Sequence, residues 1–409
     1  MYCYIDNKKV DLDYLSKYHP GGKKIQAFEN MDATVIYKSM HMHSDDRIDK
    51  YVLYDDEYRY NSSDNKNILD SDYIFDTEFS KEVRSKVRNR ITNSYAPIGW
   101  WIRFILIITL TLLAESIYRN NVTILTAMFV GFMHAQIGFC IQHSASHGSI
   151  HRNTKVNDAL TLFADYIGAS KYMWFQQHIM FHHKDTNRIN RDPDIHSAEP
   201  IFYFVRNRIN RSRLMQIITF PILYLYGLDV IYKIHAVIGM EHSRKIPNLY
   251  FKSIKRRASF MFFKLFYLFR IVIYPWYQGN NLFMSFFFVP FFTGIFLVTT
   301  FILSHNTDKM EHTEEDKKNV DWYKMQVESS CTYKSLVGWF LTDGLNYQIE
   351  HHLFPRMNPW HYPDISDTVK AVCKKHNVKY TEYNGFISNM RATLKYLFIN
   401  NNKIDRKES

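Results

Sequence analysis

Two pairs of long apolar segments limit the folds open to this chain more than any other feature. The first pair covers residues 98–118 and 122–141, and the second covers residues 258–277 and 282–304. Each segment has about 20 residues, the length that an α-helix needs to cross the hydrocarbon core of a bilayer. The mean hydropathy of −0.30 would suit a soluble protein, but polar ends dilute these apolar blocks. We therefore predict two helical hairpins, which make an all-α membrane domain with four transmembrane helices.

Two further segments are expected to lie on the membrane surface. Residues 214–238 are apolar, but proline, glycine and aspartate interrupt them, which disfavours a fifth crossing. A helix from Phe79 to Ile91, capped by Asp76, would carry one apolar stripe and a basic opposite face. Such a helix is typical of a membrane interface.

The distribution of positive charge predicts the orientation. The chain has 51 Lys and Arg against 40 Asp and Glu, a net charge of +11. Lys and Arg are concentrated between residues 143 and 257, whereas the two hairpin turns carry only Arg119. The positive-inside rule therefore places the long middle segment and both termini in the cytoplasm. Because the basic residues flank apolar segments instead of forming a soluble basic module, we expect membrane lipids and no nucleic acid as partners.

The cysteines and the N-terminus give no sign of a zinc site, a disulfide framework or a secretory leader. Cys3, Cys140, Cys331 and Cys373 stand far apart without a CxxC spacing. They predict neither a zinc knuckle nor a disulfide framework, and they favour a reducing compartment. The first residues do not form a basic-then-apolar secretory leader.

Three groups of histidines fall on one predicted side of the membrane. Members of a group are often four residues apart, so that on a helix both side chains leave the same face. Seven histidines are too many for one tetrahedral zinc, and imidazole suits iron, copper and zinc, so a pair of metal ions is the economical interpretation. The candidate ligands are His143, His147, His178, His182, His183, Gln348, His351 and His352.

Most of the remaining histidines fit the ordinary role of a hydrogen-bonded residue, and His305 differs. His305 ends the fourth apolar segment at the same depth as His143, and we predict it to be a further ligand. His134, His151 and His196 are expected to have no metal role.

The N-terminal region has a separate histidine motif. Tyr18-His19-Pro20-Gly21-Gly22 places a histidine in a tight turn, and His41 and His43 follow downstream. Two imidazoles on opposite sides of a haem iron would leave no open position, which suits electron transfer. The alternative is a turn histidine with solvated neighbours.

This motif, followed by Asp32-Ala33-Thr34, resembles the haem-binding region of a fused cytochrome b5 domain. Only 18 residues precede His19, so we expect this region to lack the opening helix and strand of that family. The resemblance implies that His19 binds haem b. Its partner is His41 by the spacing of desaturase-fused versions and His43 by the spacing of free-standing cytochrome b5. We expect a small α+β haem domain over residues 1–60, then a linker and interfacial helix over 61–97.

The three histidine groups resemble the boxes of front-end membrane fatty-acid desaturases, which join a cytochrome b5 domain to a di-iron desaturase. The boxes are His143 to His147, His178 to His183 and Gln348 to His352, and a glutamine that begins the third box is the front-end hallmark. Thr186-Asn187, Asp192-Pro193-Asp194 and Val327 to Cys331 look like the Δ5 and Δ4 members. The resemblance implies a desaturase domain over residues 98–380 and a tail over 381–409. The predicted architecture is thus multi-domain, with a cytoplasmic histidine-rich di-iron cap.

The resemblance also implies the reaction and its partners. Two non-haem irons, with dioxygen as co-substrate, would insert a double bond into a fatty acyl-CoA or a phospholipid-linked acyl chain. Electrons would come through haem b from NADH-cytochrome b5 reductase in the endoplasmic reticulum. We expect Δ5 desaturation; Δ4 or Δ6 desaturation, Δ8 sphingolipid desaturation and hydroxylation need the same histidines.

One position departs from the family pattern. The first box usually has the sequence HDxxH, and Ser144 stands here in place of the aspartate. If that carboxylate orients a ligand imidazole, its loss would weaken the metal site. A membrane-anchored haem electron carrier with an inactive di-iron half is therefore the alternative from a non-enzyme class.

Overall fold

A computed structural model describes residues 1–6, 8–19, 25–26, 28–41, 72–205, 213–232 and 254–398. Pro20, Gly21, Gly22, His43 and most of the expected linker lie outside these ranges. The described residues form an N-terminal unit, a bundle of long apolar helices, and a cap made of residues 72–91, 178–205 and 306–398.

The N-terminal unit combines a short sheet with two helices. Strands β1 (Tyr2–Ile5) and β2 (Lys8–Asp11) pair antiparallel, and helices α1 (Leu12–Tyr18) and α2 (Thr34–Met40) follow. Asp11 begins α1 because its carboxylate accepts the backbone N–H of Asp13 at 2.8 Å. The small core of the unit includes Met180 and Phe260 from the rest of the chain. The unit is therefore docked onto the second histidine box and the bundle.

The segment before the first apolar helix belongs to the cap. It contains β3 (Tyr73–Ile74) and α3 (Glu78–Arg90), and the hydroxyl of Thr77, not Asp76, caps the helix by accepting the Ser80 N–H. Phe79, Val83 and Val87 are buried in one cluster with Trp322 and Tyr362. The predicted interfacial placement is therefore wrong, because the apolar stripe is already covered by protein.

The predicted apolar segments are all helical. The helices from the bundle and from its connecting loop are α4 (Ile98–Asn120), α5 (Ile124–Gln136), α6 (Thr154–Leu160), α7 (Leu162–Tyr166), α8 (Lys171–Trp174), α9 (Arg213–Thr219), α10 (Tyr226–Tyr232), α11 (Ile254–Leu268) and α12 (Leu282–His305). Wider π-turns extend α5 over Ile137–His143, α8 over Phe175–His182 and α11 over Phe269–Ile273, and further short turns are Ser144–Ser146, His183–Asp185, Asp194–His196, Phe220–Leu225 and Tyr274–Tyr277.

By length and composition, five described helices could cross a membrane, one more than predicted. The additional one is Leu214–Tyr232, which packs along α12 instead of lying across its end. Tyr232 donates to the Phe286 carbonyl at 2.6 Å, and Leu223 packs with Ile302, about 24 Å farther along an ideal helix. A methyl group on Gly227 would lie 2.8 Å from the Gly294 nitrogen. The missing side chains of the two glycines thus allow the close contact that the surface prediction overlooked.

Charged groups inside the bundle are paired. The Glu115 carboxylate accepts from His134 Nε2 at 2.9 Å and lies 2.9 Å from Arg270 Nε. The interpretation of His134 as a hydrogen-bonded core residue is confirmed.

The cap surrounds the third histidine box. Its remaining elements are β4 (Val320–Asp321), α13 (Trp322–Glu328), β5 (Cys331–Tyr333), α14 (Leu336–Thr342), α15 (Gln348–Leu353), the turn Pro359–His361, α16 (Tyr362–Lys375), β6 (Thr381–Tyr383) and α17 (Phe386–Leu397). β3 pairs in parallel with β4, and β5 with β6. Every residue of α15 is buried, so the third box lies in the interior of the cap, against the end of the bundle.

Candidate metal centre

The three histidine boxes converge where the bundle meets the cap. His143 ends the π-turn of α5, His178 lies in the π-turn of α8, and His351 lies in α15. The ring centroid of His351 is 4.7 Å from that of His143 and 4.8 Å from that of His147. Residues separated by some two hundred positions therefore form one cluster.

The first group of ligand atoms comes from all three boxes. One ring nitrogen from each of His143, His147, His178 and His351 lies within 4.8 Å of the other three. His143 Nε2 and His178 Nε2 are 3.0 Å apart. Four imidazoles can thus reach one ion.

The second group contains His182, His305 and His352, whose ring nitrogens also lie within 4.8 Å of one another. The amide nitrogen of Gln348 is 3.3 Å from Nε2 of both His305 and His352. Its buried Oε1 has no hydrogen-bond partner among the described residues. Because the two ends of a carboxamide are assigned from their surroundings, a rotated amide would present its oxygen to a metal beside these rings.

His183 lies between the two groups. Its backbone N–H donates to the His178 carbonyl, five residues earlier, which is the π-helical hydrogen bond. In an α-helix His183 would be turned away from His178, but here the two Nε2 atoms are 3.2 Å apart. The structure thus brings together all the predicted ligand side chains.

The donor set fits metal ions. Among the described residues, both ring nitrogens of His147 and Nε2 of His351 are buried without a hydrogen-bond partner. Buried polar atoms rarely lack partners, and a cluster of them that face one another requires an explanation. Imidazole nitrogens bind metal ions at roughly 2 Å, so each group is close to the size of one ion's coordination shell.

Burial keeps most of these imidazoles in the form that binds metals. Desolvation, reinforced by neighbouring imidazoles, lowers the pKa of His147, His178, His183, His351 and His352 well below the ordinary histidine value. A neutral imidazole has a lone pair available for a metal.

His182 is the exception because it has acidic neighbours. Burial opposes its protonation, but the carboxylates of Asp192 and Asp194 outweigh this effect and raise the pKa of His182 to about 9. His182 Nδ1 lies 3.0 Å from Asp192 Oδ2. A carboxylate that accepts the Nδ1 proton leaves Nε2 directed at the second group and increases its basicity.

Three other ligands are oriented in the same way. His305 Nδ1 lies 3.0 Å from the Ser329 carbonyl, and His352 Nδ1 lies 2.8 Å from Gln326 Oε1. His351 Nδ1 lies 3.1 Å from the Tyr362 hydroxyl. Sequence reasoning missed these roles of Gln326, Ser329 and Tyr362, since no spacing rule connects them to the boxes.

Ser144 does not face the ligand rings. Its hydroxyl donates to Asp343 Oδ2 at 3.4 Å. Asp343 also accepts from Arg103 at 2.9 Å and from the indole N–H groups of Trp100 and Trp360 at 3.2 and 2.8 Å. Position 144 therefore contacts a buried ionic cluster that joins α4 to the segment before the third box.

Replacing Asp192 by asparagine should lower metal affinity and turnover by about 10- to 100-fold, because His182 loses the carboxylate that orients it. Iron content by mass spectrometry and product formation by gas chromatography measure the two effects. Asp367→Asn is the matched control, since its carboxylate is exposed on the cap and pairs with Lys334 at 3.2 Å instead of contacting a ligand histidine. Equal iron content and activity in wild type and Asp192→Asn would refute this role.

The N-terminal motif forms a separate pair. Nε2 of His19 and Nε2 of His41 are 3.3 Å apart, and His41 Nδ1 lies 2.8 Å from the Tyr37 carbonyl. Burial and the neighbouring imidazole lower the pKa of His19 to about 3, and burial and Arg356 lower the pKa of His41 to about 4. His19 thus faces His41; the alternative partner, His43, lies outside the described residues.

Comparison with known proteins points to the same chemistry. The family model for fatty acid desaturases matches residues 120–384, which include all three boxes. An acyl-lipid (7-3)-desaturase of Rebecca salina is 28% identical over 77% of this chain and 72% of its own length. From Dictyostelium discoideum, acyl-lipid (8-3)-desaturase B is 27% identical over 97% of this chain and 90% of its own, and Delta(5) fatty acid desaturase A is 25% identical over 96% and 89%.

The match and the geometry agree on what this end of the bundle does. Apolar helices long enough to cross a bilayer indicate a membrane protein, and their ends meet histidine groups that could hold two irons. Because the matched region exceeds half of the chain and carries every histidine of both groups, this protein is an oxidoreductase of the fatty acid desaturase family.

Proposed function

We propose that each histidine group holds one non-haem iron, and that His183 and Gln348 complete the set. The observation that carries this proposal is the division of the buried ring nitrogens into two adjacent groups. When bound, two irons supply the oxidising power to remove two hydrogens from adjacent methylenes: dioxygen, two electrons and two protons are consumed, and two waters leave. Because the histidines of both groups are buried, they would keep water away from the reacting carbons.

An apolar surface for the substrate chain adjoins the first group. The Trp174 ring lies 4.4 Å from the ring of His178 and 5.8 Å from that of Phe301. Phe301 packs against a buried cluster that includes Phe139 and Leu345. Neighbouring methylenes are chemically alike, so the position of the double bond must depend on how far the chain extends along such a surface.

We propose Δ5 desaturation of an acyl-CoA or phospholipid-linked polyunsaturated chain. Two relatives that the chain matches over 96% of its length are named Delta(5) desaturases. Expression in yeast fed with C18 to C22 polyunsaturated acids, followed by gas chromatography, should yield a new double bond at carbon 5. A bond at carbon 4 or 6, a Δ8 sphingolipid product or a hydroxylated acid would replace Δ5 with that alternative.

We further propose that the N-terminal unit binds haem b between His19 and His41 and accepts electrons from NADH-cytochrome b5 reductase. The Nε2 atoms of His19 and His41 face each other at 3.3 Å, and these two imidazoles would hold the haem iron, which would supply one-electron transfer. The Tyr37 carbonyl beside His41 Nδ1 favours the tautomer with a lone pair on Nε2.

His41→Ala should therefore remove haem, whereas His43→Ala should retain it. The purified full-length proteins would be compared by the Soret absorbance and by extracted haem per chain. Loss of haem in His43→Ala alone would assign the second ligand to His43. Absence of haem from the wild type would favour an enzyme that receives electrons from external cytochrome b5, whereas haem without non-haem iron would favour the electron carrier.

Residence in the endoplasmic reticulum with both termini in the cytoplasm completes the proposal. All described histidines of both groups lie at one end of the bundle, as this orientation requires. Protease treatment of sealed microsomes should cleave tags at either terminus. Protection of one terminus would reject the orientation.

A further inference from the structure

Helix α14 carries an apolar face that the described protein does not cover. Leu336 is 85% exposed and Val337 is 69% exposed, and Phe340 and Leu341 continue the same stripe one turn later. On the opposite side Gly338 is buried against the Tyr333 ring. The helix is thus fixed on its inner side and apolar on its outer side.

The exposed stripe continues an apolar surface of the bundle. The Arg103 guanidinium lies 4.7 Å from the centroid of the Phe340 ring, and Gln136 Nε2 donates to the Leu341 carbonyl at 2.7 Å. α14 therefore lies against the ends of α4 and α5. On α4, Ile98 and Ile102 are 77% and 63% exposed. Such a run of apolar side chains on a membrane helix faces lipid, so α14 borders a surface in contact with the bilayer.

Tryptophans indicate the depth of α14 relative to the bilayer. The rings of Trp339 and Trp360 are 4.8 Å apart, and a methyl group on Gly99 would lie 2.6 Å from Trp360. The Trp100 and Trp101 rings, 5.1 Å apart, belong to the same turn of α4. Tryptophan is enriched where membrane meets water, because an indole is apolar but carries one N–H donor. Trp100 is fully buried and, like Trp360, donates its indole N–H to Asp343, so only the partly exposed Trp101 and Trp339 mark a membrane boundary beside α14.

Charged side chains lie on the other side of the patch. Lys334 Nζ is 3.2 Å from Asp367, and Lys370 Nζ is 2.9 Å from Glu382. Phe386 and Ile387, at the start of α17, are exposed beside Tyr333 and extend the apolar side. An apolar face bordered by charges on one side and by a membrane helix on the other is typical of an element that lies in the interface.

We propose that α14 and the first turn of α17 insert between the lipid headgroups and acyl chains of the leaflet at the histidine end of the bundle. The occupant is lipid, because the patch is continuous with the outward face of α4 and lies beside the partly exposed Trp101 and Trp339. The insertion holds the segment that leads from Asp343 to the third box against the bundle. The proposal depends on the membrane placement and not on the position of the double bond.

Spin labels in the full-length protein test it. Leu336→Cys, Ile102→Cys and Ile74→Cys would each carry a nitroxide in phosphatidylcholine vesicles; Ile102 is the lipid reference, and Ile74, 42% exposed on β3, is the aqueous reference. The described native cysteines are buried, and unlabelled wild type checks that they do not react. Iron content equal to that of wild type shows that each variant is folded, and Val337→Cys serves if Leu336→Cys fails this check.

Power saturation decides the outcome. We expect oxygen to relax the label at position 336 more strongly than a water-soluble nickel complex does, as at position 102. Greater relaxation by nickel, as at position 74, would overturn the proposal. If the label at position 336 is shielded from both oxygen and nickel and its spectrum shows dipolar broadening, a second copy of the chain covers the patch. That result would also overturn the proposal.

Discussion

His147→Ala should reduce desaturation by more than about 100-fold, beyond the loss that follows removal of a residue that only orients a ligand. His147 belongs to the first group, and its ring lies within 5 Å of the rings of His143, His183 and His351, at 4.7, 4.6 and 4.8 Å. Alanine leaves that group one imidazole short, and the neighbouring side chains are too enclosed to supply another. Iron content should fall together with product formation.

The matched control is His151→Ala. His151 is exposed, and its Nδ1 accepts the Asn153 N–H at 2.9 Å, so it has a local role near the first box. This variant should retain both iron and activity. Full iron content in His147→Ala would show that the first group does not depend on this imidazole.

Asp343→Asn should destabilise the protein by about 3–5 kcal/mol, because it leaves Arg103 buried without a counter-charge. The two side chains are 0% and 3% exposed and 2.9 Å apart. Asparagine keeps a hydrogen-bond acceptor for the indole groups and tolerates the positive φ of 55° at this position. The loss should therefore come mainly from the charge. Unfolding in mixed micelles, with dodecyl sulfate as denaturant, measures it.

The double variant Arg103→Met/Asp343→Asn isolates the cause. Removing both charges leaves no unpaired ion, so part of the lost stability should return. If the double variant loses as much free energy of unfolding as the two single variants together, Arg103 and Asp343 do not act as an ion pair.

The sequence predicted the bundle well because hydrocarbon thickness and backbone hydrogen bonding leave a membrane helix few options. The four predicted segments are helices that end within a few residues of the predicted limits. The sequence favours a surface position for residues 214–232, because Pro221 and Asp229 count against a crossing. Their packing along α12 was not predictable, since the contact between Gly227 and Gly294 depends on the partner helix. α3 was misjudged for a similar reason, since an apolar stripe does not show whether lipid or protein covers it.

The sequence predicted which histidines the candidate metal centre brings together, but not how their side chains are arranged. Spacing of four residues indicated shared faces for the ligand pairs, and the structure brings them together. An α-helical wheel turns His183 away from His178, whereas the π-turn aligns them. π-turns are rare, and the spacing of histidines does not reveal one. The orienting groups, such as Gln326 and Tyr362, lie in distant elements and have no motif of their own.

The pairing of β3 with β4, together with the burial of α3 in the cap, shows that the cap includes residues that precede the first membrane helix. Asp72 is buried and accepts from Arg188, which follows the second box. Any cut that separates the N-terminal unit from the rest of the chain must therefore fall ahead of residue 72. A protein shortened to begin at the first membrane helix would lack α3, whose apolar side chains form part of the core of the cap.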